Sequence, residues 1–315
     1  MEEDICHPQM LVQKCHKMHV GAKTCYCPDL YVDNWEVKVV DDMLTGEKMV
    51  VDELIGEHTM ELSDTEKYLV DLVSSDGRNE KNIKARSDKG QGIVDQKISI
   101  IEGSVFGPFQ FEVALIFRSS LLLNGILTNA EAWYGLRTAD VEKLEHVDEQ
   151  LLRKILEVGK GCPKEMLYLE TGSLPIRFLI MHKRIMFLHC ILTEDQDSLL
   201  SRFHLAQWKK TGKNDWTITV KEDLDDLGIS LSFDNMKNMK KEKFGDYIKH
   251  TIEEKALKYL NAIKAKHSKV LHIVHKSLTL QSYLKPRNVE TIQLSKFLFH
   301  ARTRMLECRS NFSNQ

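Results

Sequence analysis

TEKYLVDLVSSDGRNEKNIKARSDKGQGIVDQKISII, residues 65–101, changes its period half-way along, and the reading of the whole chain turns on that change. Lys67-Tyr68-Leu69-Val70 with Leu72-Val73 is a short apolar run rich in strand formers, closed by the turn signal Ser75-Asp76-Gly77. From Asn79 onward Ile83, Gly90, Val94, Ile98 and Ile101 recur at helical spacing on one face, with Arg78, Lys81 and Lys89 clustered opposite. The stretch predicts an extended segment, a polar turn and a long basic helix.

It also divides two differently charged parts. Residues 1–76 hold 6 Lys/Arg against 17 Asp/Glu, a balance of −11, and the chain total of −2 leaves +9 for residues 77–315. A polyanion would be repelled by the first part and drawn to the second. Basic balance alone is a weak signal, because solvated helix faces are often Lys-rich.

At 315 residues the chain can bury a real core and holds two or more units. The acidic start Met1-Glu2-Glu3-Asp4 does not read as a secretory signal. The most apolar window, Val113 to Leu127, is interrupted by Arg118 and Asn124 and falls short of a bilayer span, so it reads as a buried helix. Seven scattered cysteines point to a reduced, intracellular setting, nuclear or cytoplasmic.

Upstream, Trp35, Val37 and Val39 alternate with Glu36, Lys38 and Val40, and Thr45-Gly46 supplies a turn before Met49-Val50-Val51. A small acidic hairpin is the simplest reading. Downstream, Asp140 and Glu142 favour the first turn of a helix capped by Thr138. Val141, Leu144, Val147, Leu151, Leu152 and Ile155 form its apolar stripe, which runs out at Gly159 and Gly161. Pro175 suits the first turn of the next helix. A second helix of the preceding region is expected from Phe109 or Phe111 to about Trp133, and helices joined by polar loops fill residues 193–315. The fold class that follows is mainly α with a small β-rich N-terminal piece, an α+β chain.

Chemistry-bearing residues are few. Asp41-Asp42 has the residue types of a two-metal polymerase turn, but such a site needs a further carboxylate to hold ions about 3.5–4 Å apart, no upstream strand supplies one, and the pair reads as a solvated turn. Asp225-Asp226 sits among helix-type residues. Cys6, His7, Cys15, His16, His19, Cys25 and Cys27 include zinc-ligand types, yet Cys25-x-Cys27 is tighter than the usual paired spacing, so no metal site is expected. His182 and His189 have no Glu-x-x-His context and read as satisfied or exposed histidines. There is no nucleotide-binding Gly-rich loop, nucleophile elbow or His-Glu-x-x-His. The run Met236 to Lys269 carries ten Lys against four acidic residues, which fits either a nucleic-acid contact or a solvated helix.

Several short motifs share a family order. They are Lys14-Cys15-His16-Lys17-Met18-His19-Val20-Gly21, Glu66-Lys67-Tyr68-Leu69 before the basic helix, Leu122-Leu123-Asn124-Gly125-Ile126-Leu127-Thr128-Asn129, Leu151-Leu152-Arg153-Lys154-Ile155-Leu156, Leu167-Tyr168-Leu169-Glu170-Thr171-Gly172 and Leu174-Pro175-Ile176-Arg177-Phe178. Together they resemble the segment from the end of the palm through the thumb and helical linker of non-LTR (LINE-type) retrotransposon reverse transcriptases, across most of residues 11–310. Val70 stands where that family usually has Gly.

The resemblance implies an end-of-palm piece over 1–76, a multi-helix thumb over 77–135 and a helical linker over 136–315. It places Lys14 where polymerases keep a Lys near the departing pyrophosphate, a vestigial role without the catalytic Asp-Asp turn. No cofactor is expected, with Mg²⁺ implied only if the chain were joined to the missing palm. Arg78, Lys81, Lys84, Arg86 and Lys89 become the residues expected to contact the backbone of RNA or an RNA–DNA duplex, since Lys and Arg pair phosphates without reading bases. Glu80, Asp88 and Asp95 keep a solvated helix face open as the other reading. The expectation is a truncated, non-catalytic reverse-transcriptase-like protein with sequence-independent nucleic-acid binding. Its alternative is a helical protein–protein interaction module.

Overall fold

The computed structural model describes residues 30–32, 35–41, 48–52, 56–60, 65–68, 71–74, 78–102, 109–195, 198–209, 215–267, 275–285 and 292–303. They are mainly helical. The chain divides into two compact units, residues 1–82 and 83–315.

In the first unit the backbone forms β1 (Leu30–Val32), β2 (Trp35–Asp41), β3 (Lys48–Asp52) and β4 (Gly56–Met60), consecutive antiparallel neighbours with Val39 opposite Val50 and Val50 opposite His58. The 1–29 segment and every connection between these short pieces lie outside the described residues, so a packed β-rich piece over 1–76 is not shown. Where the sequence reads one extended run over 67–73, the backbone doubles back. β5 (Thr65–Tyr68) pairs antiparallel with β6 (Asp71–Ser74), Tyr68 facing Asp71. Asn82 ties β6 to the first turn of the following helix: its Oδ1 accepts from Leu72 N at 3.2 Å and its Nδ2 donates to Asp71 Oδ1 at 2.9 Å.

That helix, α1 (Glu80–Glu102), matches the predicted long helix. Ile83, Gly90 and Val94 are buried as the periodicity requires. Gly90 is needed for the approach, because a Cβ there would lie 2.6 Å from Ile126 Cγ2 and 3.1 Å from Val147 Cγ1. The apolar window forms α2 (Gln110–Phe117), a π-helical turn (Arg118–Leu123) and α3 (Asn124–Ile126). It stops short of the expected Trp133, because Asn129 turns left-handed (φ 59°) into a 3₁₀ turn at Ala130–Ala132.

Next come α4 (Thr138–Leu156), α5 (Lys164–Thr171) and α6 (Ile176–Thr193). The stripe on α4 is buried at Leu144, Val147, Leu151, Leu152 and Ile155. Its ends differ from expectation by small steps. Extended Arg137 occupies the N-cap position, so Thr138 is already helical, and α4 ends before Gly159 because Glu157 takes the left-handed cap (φ 54°) while Val158 N bonds back to Arg153 O. Pro175 sits one position ahead of α6 as its N-cap.

Then come α7 (Leu199–Lys209) and α8 (Trp216–Leu227), and the polar loop expected between them, residues 210–214, lies outside the described residues. The side chain of Asp215 caps α8 by accepting from Ile218 N at 2.9 Å. After α9 (Phe233–Asn238) runs α10 (Lys241–His267), 27 residues long, and α11 (Ile292–Thr303) closes the described chain.

Two apolar clusters make the core of the second unit. One joins Ile83 and Val94 of α1 to Leu122, Ile126, Leu144, Leu151, Met166 and Phe299. The other packs Ile185 and Leu188 of α6 on Val220 and Leu224 of α8 and on Phe244, Ile248 and Ile252 of α10. Since α1 shares one cluster with α4 and α5, the core has no break near residue 135. Among the described residues no helix is long and apolar enough to cross a membrane.

Candidate functional site

The five basic residues expected to meet a nucleic acid have different surroundings. Arg78 is exposed. Lys81 is exposed too, and its Nζ donates to Thr65 Oγ1 at 2.6 Å. Both belong to the first unit. In the second unit, Lys84 and Lys89 stand in solvent on α1 with no ion-pair partner among the described residues. Arg86 is the correction. It is 3 % exposed and its Nη1 donates to Gly125 O at 3.1 Å, so its guanidinium serves the contact between α1 and α3 rather than a phosphate. Helical spacing explains the difference. Arg86 lies three residues after Ile83 and four before Gly90, on the packed side of α1.

Lys14, Asp42 and the cysteines and histidines from Cys6 to Cys27 lie outside the described residues. Asp41 ends β2. No group of three or more His, Cys, Asp or Glu side chains that could hold a metal ion occurs among the described residues.

The Lys-rich run offers the larger basic surface. α10 buries Phe244, Ile248, Ile252, Ala256 and Leu260 and extends about 40 Å. Lys255 is committed to Asp226 at 2.8 Å, and Lys264 is 5 % exposed and donates to Asn261 Oδ1 at 3.1 Å. Lys240, Lys241, Lys243, Lys249, Lys258 and Lys266 remain exposed with no ion-pair partner among the described residues. Glu242, Asp246 and Glu254 share the exposed side.

His189, expected to be satisfied or exposed, is 2 % exposed, with Nε2 3.1 Å from Met239 O, Nδ1 without a hydrogen-bond partner among the described residues, and its ring stacked 4.4 Å from Phe244. His182 is half-buried on α6.

The buried polar network was not foreseen. Glu170, fully buried on α5, receives Arg302 Nε at 3.0 Å on both oxygens, Tyr283 OH at 2.7 Å and His275 Nε2 at 3.0 Å. Burial pushes its carboxyl pKa up, but the hydrogen bonds from His275 and Tyr283 and the charge of Arg302 outweigh that and hold it below the usual range. Gln281 N donates to Glu170 O at 3.0 Å, and Gly172 (φ +66°) sits where a Cβ would overlap the backbone of Thr279 and Leu280. The hub thus fastens the segment 275–284 and α11 to the end of α5. Its signal was present in the sequence: Glu170 follows Met166, Leu167 and Leu169 on a helix with no polar face to receive it. An acidic residue so placed needs buried donors.

Two further buried carboxylates meet arginines in the fork geometry that matches both oxygens. Arg184 donates to Asp223 at 2.7 and 2.9 Å, and Arg177 to Glu145 at 2.8 and 2.9 Å. Compared with family models, curated proteins and solved structures, the chain matches none of them.

Proposed function

We propose that the chain is a reverse-transcriptase-like protein of the non-LTR type without polymerase activity of its own. On this reading it carries a small β-rich end-of-palm piece, thumb-like helices and a helical linker, and it binds RNA or RNA–DNA duplex without reading sequence. The single observation that carries the binding is the set of exposed lysines in the second unit without ion-pair partners among the described residues: Lys84 and Lys89 on α1, and six more on and beside α10. A lysine already paired gains little from a phosphate, whereas an unpaired one releases counterions from the polyanion when it binds. The order of short motifs supports the family reading.

Fluorescence anisotropy with a labelled RNA–DNA hybrid at low salt tests this. Saturable binding that weakens steeply with salt is expected, and no change in anisotropy with folded protein would defeat it. Primer extension above buffer would overturn the non-catalytic part.

One observation favours the alternative of a protein-interaction module. Phe109, Ile116 and Leu121 are 54 %, 63 % and 51 % exposed along α2 and the π-helical turn. Partners that survive nuclease in a pull-down and are lost with Ile116→Asp would support it.

A further inference from the structure

His182 and Lys183 are neighbours on α6, and Lys249 stands on α10. The two helices lie side by side and run in opposite directions. Phe178, near the start of α6, meets Tyr259 of α10 edge-on with ring centroids 5.6 Å apart. His189, further along α6, stacks on Phe244 near the start of α10 at 4.4 Å. Between these contacts Met186 Cε lies 3.6 Å from the point a Cβ on Gly245 would occupy. His182 is one turn before Met186 and Lys249 one turn after Gly245, so antiparallel packing brings the imidazole beside that lysine.

The result is a group of basic side chains with little negative charge to offset it. His182 is half-buried and has no hydrogen-bond partner among the described residues, and neither of its ring nitrogens is closed off from solvent. Lys249 is exposed and has no ion-pair partner among the described residues. Carboxylates on the elements packed against α6 are engaged with other cations. Glu131 of the 3₁₀ turn lies 3.6 Å from Lys183 Nζ, Asp223 of α8 is held by Arg184, and Glu145 of α4 by Arg177. On α10, Glu254 lies 3.4 Å from His250 Nε2, and Asp246 and Glu253, one turn to either side of Lys249, form no ion pair with it. Burial, and then the charges of Lys183 and Lys249, hold the pKa of His182 below its ordinary value of 6.5.

A phosphate changes that balance. Seated between Lys249 and the imidazole, a phosphodiester offsets the ammonium charges and accepts a hydrogen bond from a protonated ring nitrogen, so it favours the imidazolium. Coupling between two ligands is reciprocal, so a phosphate that promotes proton uptake is itself bound more tightly when the proton is present. Affinity is then flat above the pKa of the bound state, rises as pH falls from there to the pKa of the free state, and is flat again below it. One imidazole changes affinity by at most about tenfold per pH unit.

We propose that His182, Lys183 and Lys249 form a phosphate-binding cluster on the nucleic-acid surface, in which protonation of His182 makes binding of the polyanion pH-dependent. This rests on the nucleic-acid reading above, because Lys249 belongs to the lysine surface. It extends that surface from α10 onto α6 and gives it a control that lysines, charged throughout the physiological range, do not supply.

The test is anisotropy with the labelled RNA–DNA hybrid from pH 8 to pH 5.5 at one ionic strength, on the wild-type chain and on His182→Gln. The chain holds 13 histidines, so the difference between the two proteins carries the result. Binding by the wild-type chain should tighten on acidification about threefold or more beyond any gain shown by the variant, within the limit of about tenfold per pH unit. Equal pH dependence in the two proteins overturns the proposal and leaves hybrid binding standing, whereas no binding at any pH overturns both. Should the variant fail to fold, the ring resonances of His182 in the wild-type chain decide: a pKa raised by the hybrid supports the cluster, and an unchanged one refutes it.

Discussion

Arg118 donates through Nε and Nη2 to the two carboxylate oxygens of Asp148, at 2.6 and 2.7 Å, with the Asp side chain fully buried. The same guanidinium reaches Leu174 O at 2.9 Å, so one residue joins the π-helical turn, α4 and the approach to α6. Burial alone would lower the pKa of Arg118, but the charge of Asp148 beside it raises it on balance. Removing one partner strands the other charge in the core. Asp148→Ala should therefore cost about 3–5 kcal/mol in denaturant unfolding, whereas Arg118→Met with Asp148→Leu together should cost much less. A double variant as unstable as the single one would show that the pair contributes more than mutual neutralisation.

This pair also marks what was legible. Arg118 stood out as an interruption of an apolar window, and the window was read as a buried helix. Its partner thirty residues on could not be found, because Asp148 sits in a polar-looking part of α4 and nothing local distinguishes it from a solvated carboxylate. Stripes with period 3.6, such as Leu144 to Ile155 and Ile83 to Val94, could be read directly, since burial repeats within one element. Arg86 was misread for a related reason. A basic side chain was assigned to solvent by its type, while its position between Ile83 and Gly90 placed it against α3.

Glu170 contributes to the acid limb of stability. Its folded pKa lies below its ordinary value of 4.5, so its stabilising contribution is complete above that pH and is lost as pH falls through the folded pKa. Glu170→Gln should flatten unfolding free energy against pH below about 4.5, the ordinary carboxylate range. It should also cost roughly 1–3 kcal/mol at neutral pH by weakening the Arg302 and Tyr283 bonds. An unchanged acid limb would count against the hub.

Two histidines act in the same sense but in a different window. The pKa of His204 is lowered by burial and then by Lys221, and that of His182 by burial, Lys183 and Lys249. The unfolded chain binds these protons first, so stability should begin to fall as pH drops below about 6.5. The slope should not exceed about 1.4 kcal/mol per pH unit for each residue. Replacing His204 with Leu should remove its share, and thermal unfolding from pH 8 to 5 measures it.

Gly90→Ala sets two effects against each other. Alanine gains about 1 kcal/mol in helix propensity, while its Cβ would meet Ile126 Cγ2 at 2.6 Å between packed helices. Overpacking of this kind costs about 1–3 kcal/mol, so net destabilisation is expected. Gly92→Ala, with open space around it, should be neutral or stabilising and is the control. Equal stability of the two variants would mean that α1 can move away from α3 and α4 without loss.

The lysine surface makes a prediction in salt. Each phosphate neutralised contributes about 0.7–0.9 to the slope of log affinity against log salt concentration. Lys84→Gln with Lys89→Gln should thus reduce the slope for an RNA–DNA hybrid by up to about 2. Lys241→Gln, Lys243→Gln, Lys249→Gln and Lys258→Gln together should reduce it further if α10 lies along the same polyanion. All six side chains are exposed, so stability should change by less than about 0.5 kcal/mol per site, and lost binding could not be attributed to unfolding. A loss confined to the α10 set would move the interface from the thumb-like helix to the linker. A slope untouched by either set would leave the lysines as solvation alone and favour the exposed Phe109, Ile116 and Leu121 as the working surface.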